Sequence, residues 1–357
     1  MRSMPRGQTP LPFRMPRQPR LAGRAWDPWA GLSLLLFVTL VCLIPSALLA
    51  AERFARPFNF APTAGTPQAE AAEVRGALEL TATGRDAVHG LSGLVWCRGV
   101  LHAVSDQGEL LDIAPEMRSG TLAGARLLAR RPLKDETGAP LRGRARDAEG
   151  IALARCGPQP EFFVSFEQRP RLARFDAAGN LMAPVLIPAL YARRLSVVPA
   201  NSGLEALTVH PSFGIVAGLE YPAQGLPAQI LAFEQDVTWR YPTVAHKGAL
   251  VGLETLPDGR LLALERRFLS PWKPLIISVQ VLDLPPPRRN SAADITPVAQ
   301  RLVRFSSTEG WPVDNFEALA LDADGGLFLL SDDNANPRQK TLLVYLKLKL
   351  PPFPDAQ

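Results

Sequence analysis

The sequence has few of the residues that common hydrolases use as nucleophiles or as zinc ligands. It contains three cysteines and four histidines in 357 residues, and the histidines form no HExxH or paired zinc pattern. No Gly-x-Ser-x-Gly elbow occurs, because the nearest stretch, Gly90-Leu91-Ser92-Gly93, has the wrong spacing. An Arg-His-Gly phosphatase signature is also missing. These absences argue against a serine triad, a zinc protease and a histidine phosphatase.

A basic surface is also lacking in most of the chain, although the formal net charge is +5. The first 30 residues contain six arginines and one aspartate, so this short stretch accounts for the whole surplus. The remainder is formally neutral and offers no basic face for nucleic acid. We therefore expect no nucleic-acid partner.

The N-terminus has the features of a membrane-directing segment. Residues 1–28 are rich in arginine and proline, which predicts a disordered cytoplasmic tail, and Trp29–Ala51 contains no charge over 23 residues. The segment 29–51 is either a single transmembrane anchor or a cleaved signal segment, and a linker is expected over 52–74. Both alternatives export the rest of the chain. We expect an inner-membrane protein with a periplasmic domain, or a protein secreted to the periplasm.

Only two cysteines, Cys97 and Cys156, fall in the exported part. Each closes the first strand of neighbouring sequence copies, described next. An oxidising compartment permits a disulfide, whereas the alternative is a pair of buried free thiols.

A short unit recurs five times along the chain and predicts a β-propeller. Its first part is an acidic or polar residue close to small and apolar ones, with copies starting at 92, 149, 205, 254 and 317. Its second part, one hairpin later, is an apolar run that ends in an acid. Spacings of 57, 56, 49 and 63 residues match propeller blades, and turns such as Pro257-Asp258-Gly259 favour tight hairpins.

The predicted fold is all-β, with five visible blades of about four strands over residues 75–350 and a short tail over 351–357. Pairing of an early strand, Gly76–Thr83, with the last strand near Leu350 would close the ring without a free sheet edge. A six-bladed propeller is the alternative. Its extra blade would come from Arg118–Arg146 or Pro285–Ser306.

The repeated acids are expected to gather at one mouth of the propeller. In an antiparallel hairpin the start of the first strand lies beside the end of the second, so both acidic positions share one end. Crowded carboxylates need cations or protons, and calcium prefers such oxygen ligands. The alternative is structural, with one carboxylate per blade accepting backbone N–H bonds. The predicted calcium ligands are Asp147, Glu149, Glu205, Glu220, Glu254, Glu317, Asp332, Asp333, Asn201 and Asn315.

Several stretches resemble the phytase-related esterase-like family. They include Asp147-Ala148-Glu149-Gly150-Ile151, Leu264-Glu265-Arg266-Arg267-Phe268 and Ser331-Asp332-Asp333-Asn334, and the resemblance extends over nearly all of residues 88 to 346. It implies a propeller-like repeat domain rich in Glu and Asp, with hydrolytic activity on phosphate or other esters.

The leading functional hypothesis is a metal-assisted, extracytoplasmic hydrolase of phosphate esters. Glu167, Glu265 and Glu205 are the candidate catalytic carboxylates. The candidate phosphate-binding residues are Arg266, Arg267, Arg338 and Lys340. Two alternatives remain: an envelope propeller that binds a ligand or partner without catalysis, and a calcium-dependent carboxylesterase or lactonase.

Overall fold

In a computed structural model, the chain forms a five-bladed β-propeller. The structure describes residues 54–63, 71–81, 87–168, 170–189, 191–192, 203–221, 228–235, 237–270, 272–286 and 295–352. Backbone contacts divide the chain into the units Met1–Ala51 and Glu52–Gln357, and all the strands belong to the second. The predicted N-terminal tail (1–28) and the apolar segment (29–51) lie outside the described residues. Within the described ranges, no helix has the length and hydropathy to span a bilayer.

Each of the first four blades is one antiparallel sheet of four strands in sequence order. Blade 1 comprises β3 (Leu91–Cys97), β4 (Val100–Ser105), β5 (Glu109–Arg118) and β6 (Thr121–Pro132). Blade 2 comprises β7 (Ala148–Arg155), β8 (Glu161–Phe166), β9 (Arg171–Asp176) and β10 (Leu181–Val185). Blade 3 comprises β11 (Leu204–His210), β12 (Gly214–Leu219), β13 (Gln229–Ala232) and β14 (Val237–Arg240). Blade 4 comprises β15 (Ala249–Thr255), β16 (Leu261–Arg267), β17 (Ile276–Asp283) and β18 (Val298–Ser306).

Blade 5 is built from both ends of the propeller sequence. Its inner strands are β19 (Asn315–Leu321), β20 (Gly326–Asp332) and β21 (Leu342–Leu348), and its outer strands are β2 (Ala72–Leu80) and β1 (Ala55–Pro57). The antiparallel pairing of β2 with β21 closes the ring, which confirms the predicted closure. β1 and the first residues of β2 fall within the segment predicted as a linker.

Five blades are confirmed, and the six-bladed alternative is wrong. The two regions considered for an extra blade instead supply the outer strands β6 and β18, because each continues the sheet of the preceding strands. The first strands of consecutive blades contact one another around a closed ring: β3, β7, β11, β15, β19 and again β3. These strands surround the central axis.

Apolar side chains fill the spaces between neighbouring blades. Five buried clusters lie one at each blade interface; for example, Leu250 and Leu253 of blade 4 pack with Ala206 and Val216 of blade 3. The alternation of side chains along each strand sends successive residues to opposite faces of a blade. Because every blade is packed on both faces, the inner strands are almost continuously apolar, as in the fully buried β20.

A disulfide joins the first two blades. Cys97 ends β3, Cys156 follows β7, and their Cα atoms are 5.7 Å apart. This distance lies within the range that a disulfide requires. The pairing alternative is therefore confirmed over that of two free thiols.

We expect the double variant Cys97→Ser, Cys156→Ser to unfold at lower denaturant concentration. The bond closes a loop with a sequence separation of 59 residues, and cross-links of this kind typically contribute about 2–4 kcal/mol to the free energy of unfolding. Urea unfolding of the variant and of the unreduced protein measures the difference. Reduction of the wild-type protein should reproduce it, and equal midpoints before and after reduction would contradict it.

Candidate functional site

A β-bulge interrupts the first strand of every blade at an equivalent place. The pairing with the second strand shifts between Leu91 and Gly93, and the same shift occurs in the other four blades. An extra residue in a bulge is unpaired, so the strand bends and its side chain is re-aimed. The bulge residues, in blade order, are Ser92, Glu149, Glu205, Val251 and Glu317.

The second strand of each blade brings another side chain beside the bulge. The residue before the bulge pairs with one residue of the second strand, and the next residue of that strand faces the axis. For blade 1, Leu91 pairs with Ser105, which places Asp106 at this position. The corresponding residues in blade order are Asp106, Glu167, Glu220, Arg266 and Asp332.

Except for Val251, the residues at these two positions line a cavity of about 500 Å³ at one mouth of the propeller, here called the mouth cavity. Among the described residues, eight carboxyl groups and one arginine line it, together with Ser92, Asn315 and Tyr221. The predicted convergence of acids from all parts of the chain is therefore observed. The carboxyl groups belong to Asp106, Asp147, Glu149, Glu167, Glu205, Glu220, Glu317 and Asp332.

Blade 4 breaks the acidic pattern at both positions. Val251 occupies its bulge, and Arg266 occupies the strand end where the other blades carry an acid. The two predicted acids of this blade, Glu254 and Glu265, do not line the mouth cavity. Glu254 pairs with Leu262 near the opposite end of β15, where burial raises its pKa to about 8. Its predicted place among the mouth carboxylates is wrong.

Glu265 is also misplaced by the sequence interpretation. It precedes Arg266, so it points to the other face of the strand. Its carboxylate accepts hydrogen bonds from the backbone N–H groups of Val244 (2.7 Å) and Ala245 (2.8 Å). Burial raises its pKa, but these bonds hold the loop before β15 rather than a ligand in the mouth cavity. The prediction that Glu265 shares the mouth is corrected accordingly.

Arg266 is the positive charge inside the acidic cluster. One guanidinium nitrogen lies 2.7 Å from Glu220, and the other contacts Glu317 and Asn315. Asn315 also donates a hydrogen bond of 2.9 Å to Glu317. Buried carboxylates are costly unless they are paired, so Arg266 offsets part of the cost for blades 3 and 5.

Four other acids of the mouth cavity, Glu149, Glu167, Glu205 and Asp332, have raised pKa values. Burial, followed by repulsion from Asp147, raises the pKa of Glu167 to about 7. Burial, followed by repulsion from Glu317, raises that of Asp332 to about 8. The pKa values of Glu149 and Glu205 are also well above their usual range, mainly because both groups are desolvated. A pKa of about 8 favours the protonated form of Asp332 at neutral pH when no cation is bound.

The carboxylate oxygens are close enough to hold metal ions. Asp147, Glu149 and Glu167 offer oxygens within 4.8 Å of one another, and so do Glu167, Glu205 and Glu220. Glu167 belongs to both sets. Asp147 Oδ2 is buried and has no hydrogen-bond partner among the described residues. An all-oxygen donor set suits a hard cation such as calcium, so the residues fit the predicted ion.

Other predicted site residues lie outside the mouth cavity. The carboxylate of Asp333 contacts His89 Nδ1 at 2.7 Å and accepts hydrogen bonds from Gly90 N and Ala335 N, while Lys340 pairs with Glu79 at 3.0 Å.

The last candidates are arginines and one asparagine. Arg267 donates to His246 O, and Arg338 is exposed. Of the four predicted phosphate-binding residues, Arg266 alone lines the mouth cavity. Asn201 lies outside the described residues.

The sequence interpretation missed Tyr221, Phe268 and Leu275, which also line the mouth cavity. The alternation of side chains along strands could not point to them, because Tyr221 follows the end of β12 and Phe268 and Leu275 lie in the loop between β16 and β17.

Replacing the internal arginine tests its role as a counter-ion. We expect Arg266→Met to lower the free energy of unfolding by about 3–5 kcal/mol at pH 8, because Glu220 and Glu317 lose their partner. The loss should be smaller at pH 5, where these carboxyl groups are more easily protonated. Denaturant unfolding at both pH values measures it. The neighbouring Arg267→Met serves as control and should cost below about 1 kcal/mol, since it loses one half-exposed contact. Equal effects would contradict the assignment.

The acidic cluster also predicts how stability depends on pH. A carboxyl group whose pKa is higher in the folded than in the unfolded protein contributes stability below its unfolded pKa, and this is lost as pH rises through the folded value. The pKa of Glu167 is raised from 4.5 to about 7, and the pKa of Asp332 is raised from 3.8 to about 8. Without cations, their contribution to stability should therefore fall between about pH 4 and pH 8. Thermal unfolding in chelator measures the fall. Millimolar calcium should reverse it at pH 8, and no stabilisation there would argue against cation binding.

Comparisons with known proteins complete the description. No curated protein sequence matches the chain. Among solved structures, the extracellular domain of a hybrid two-component system from B. thetaiotaomicron is 12% identical with a TM-score of 0.35; the match covers 75% of this chain and 30% of that one. Myxococcus xanthus glutaminyl cyclase is 12% identical, with a TM-score of 0.37 and coverage of 78% and 96%. A β-propeller domain from Myceliophteria thermophila is 13% identical, with a TM-score of 0.34 and coverage of 78% and 82%.

The family comparison agrees with the resemblance found in the sequence. The family described as "Phytase-like: Esterase-like activity of phytase" matches residues 86–335, which is more than half of the chain and includes at least two strands of every blade. The chain therefore belongs to the phytase-like family.

Proposed function

We propose that the mouth cavity is the active site of an extracytoplasmic, cation-dependent ester hydrolase, with phosphate esters as the leading substrate class. The observation that carries the proposal is the pair of carboxylate sets that share Glu167. Family membership supports ester chemistry, and the N-terminal sequence supports export.

The carboxylates divide into ligands and a base. Asp147 and Glu149 on one side, and Glu205 and Glu220 on the other, would hold calcium. A bound divalent cation polarises an ester oxygen and stabilises the negative charge that develops on it. Glu167 lies between the two pairs, and its pKa of about 7 suits a general base near neutral pH. In this role its carboxylate accepts a proton from the attacking water.

We propose a different role for Arg266 from the phosphate binding that was predicted from the sequence. Arg266 is engaged by Glu220, Glu317 and Asn315, so its positive charge already has partners within the protein. We propose that it fixes the positions of Glu220 and Glu317. Substrate oxygens would then meet the cation rather than an arginine clamp.

The pairing of Arg266 with protein side chains also favours a second candidate function. A calcium-dependent carboxylesterase or lactonase needs no phosphate-binding arginines, and the mouth cavity offers none with a free guanidinium among its described lining residues. The two candidates differ in substrate and share the site. A screen of aryl phosphate monoesters, aryl phosphate diesters and aryl carboxylic esters separates them. A protein that hydrolyses none of these with calcium would favour the non-catalytic binding alternative.

The base is tested by Glu167→Gln in the full-length protein. We expect hydrolysis to fall by about 10²–10⁴-fold, because the amide cannot accept the proton. Initial rates with calcium, and with chelator as the second condition, measure this. The control is Glu161→Gln, which removes a buried carboxylate at the other end of the same strand, where it pairs with Arg155 and Arg174. The control should retain activity. Full activity of Glu167→Gln, or activity unaffected by chelator, would contradict the proposal.

A further inference from the structure

Blade 4 contributes no acid to the mouth cavity, unlike the other blades. Blades 1, 2 and 5 supply Asp106, Asp147, Glu149 and Asp332, whereas blade 4 has lost both acids of the repeated pattern. In the blade 4 sector the acids are replaced by Val251 and by a paired arginine. The side chains of Tyr221, Phe268 and Leu275 line the cavity in this part of the ring.

The loop that carries Phe268 is held at both ends. It joins β16 to β17 and begins directly after Arg267, whose Nε donates to the carbonyl of His246 at 3.2 Å. At its other end, Leu275 N donates to Ser307 Oγ at 3.1 Å, and Ser307 N donates to Leu275 O at 3.0 Å. A turn closed by Lys273 N and Ser270 O at 3.0 Å lies between them. These hydrogen bonds hold the loop, and with it Phe268, beside the mouth cavity.

This loop exposes apolar surface to an unusual degree. Phe268 is 51% exposed, Leu269 40% and Trp272 93%, so three of the nine exposed large hydrophobic residues in the described part of the chain fall within five positions. Clustered exposed apolar side chains commonly mark binding surfaces. Since Phe268 and Leu275 also line the mouth cavity, the apolar surface is continuous with the carboxylate site.

The size of the cavity supports the same conclusion. About 500 Å³ lies within the range of sites for whole small molecules and exceeds what a phosphoryl or carboxyl group with its cation occupies. Such sites are typically lined by aromatic side chains, with a few polar groups that fix the ligand's orientation. The mouth cavity therefore has room for a ligand that reaches from the carboxylates to Phe268 and Leu275.

We propose that Phe268, Tyr221 and Leu275 form a subsite for an apolar group of the substrate, so that the natural substrate is an ester carrying an aryl or alkyl group. That the ligand is an ester rests on the proposed function. The subsite itself concerns only the binding of an apolar group.

Binding of matched probes tests the subsite independently of catalysis. Full-length protein with calcium is titrated with phenylphosphonate and methylphosphonate, and with benzoate and acetate, by calorimetry. We expect each aromatic probe to bind more tightly than its methyl counterpart. Phe268→Ala should reduce that preference by about tenfold, in line with the loss of a buried aromatic contact. Met182→Ala is the control, because Met182 is similarly exposed at 48% and lies on the outer strand of blade 2. It should leave the preference unchanged.

The outcomes separate this proposal from the proposed function. A preference for aromatic probes that depends on Phe268 supports the subsite even when no ester is hydrolysed, in which case the proposed function fails alone. Hydrolysis of methyl and phenyl esters at equal rates, with no preference in binding, overturns the subsite and leaves the hydrolase. Loss of binding to phospholipid vesicles in Trp272→Ala, with the aromatic preference intact in Phe268→Ala, also overturns it, because the loop is then a membrane contact.

Discussion

Crowding of like charge around one axis is the constraint on which the rest of this structure depends. Eight carboxyl groups share the mouth cavity, and each loses hydration that must be replaced by a proton, a cation or a hydrogen-bond donor. Three kinds of compensation are visible or implied. Arg266 pairs with Glu220 and Glu317, a raised pKa favours the protonated form of Asp332, and the sets around Glu167 fit a divalent ion.

The propeller tolerates this arrangement because its cohesion lies elsewhere. Apolar clusters between all neighbouring blades, the disulfide between blades 1 and 2, and the pairing of β2 with β21 hold the inner strands in place. Each bulge therefore costs little stability, because it interrupts the hydrogen bonds between two strands only near their ends, while the rest of the strand remains paired. A rigid ring can maintain repulsive neighbours at fixed separations that a flexible loop would relax.

Much of the fold was predictable because its signals are local. Turn residues and alternating apolar runs define hairpins, and five spaced copies with one unassigned strand imply a closed ring. The predictions of site residues were wrong in blade 4, where the exact position of a residue along the strand decides whether its side chain faces the mouth cavity. Glu254 lies near the opposite end of β15 and Glu265 points to the other face of β16, so Val251 and Arg266 occupy the two positions. The small residue after each bulge, Gly252 in blade 4, was the better guide than the acid. The pairing of Cys97 with Cys156 stayed open because the distance between two blades is a tertiary quantity.

The composition of blade 5 has a consequence for how the protein is made. Two of its strands come from the beginning of the propeller sequence, and three come from its end. During synthesis, four blades can assemble while β2 still lacks its neighbour, and Glu317 and Asp332 are among the last acids to emerge. A polypeptide interrupted before β19 would lack Glu317 and Asp332 and would leave β2 without its partner β21. The last three strands of the chain therefore both supply the last acids of the site and close the ring.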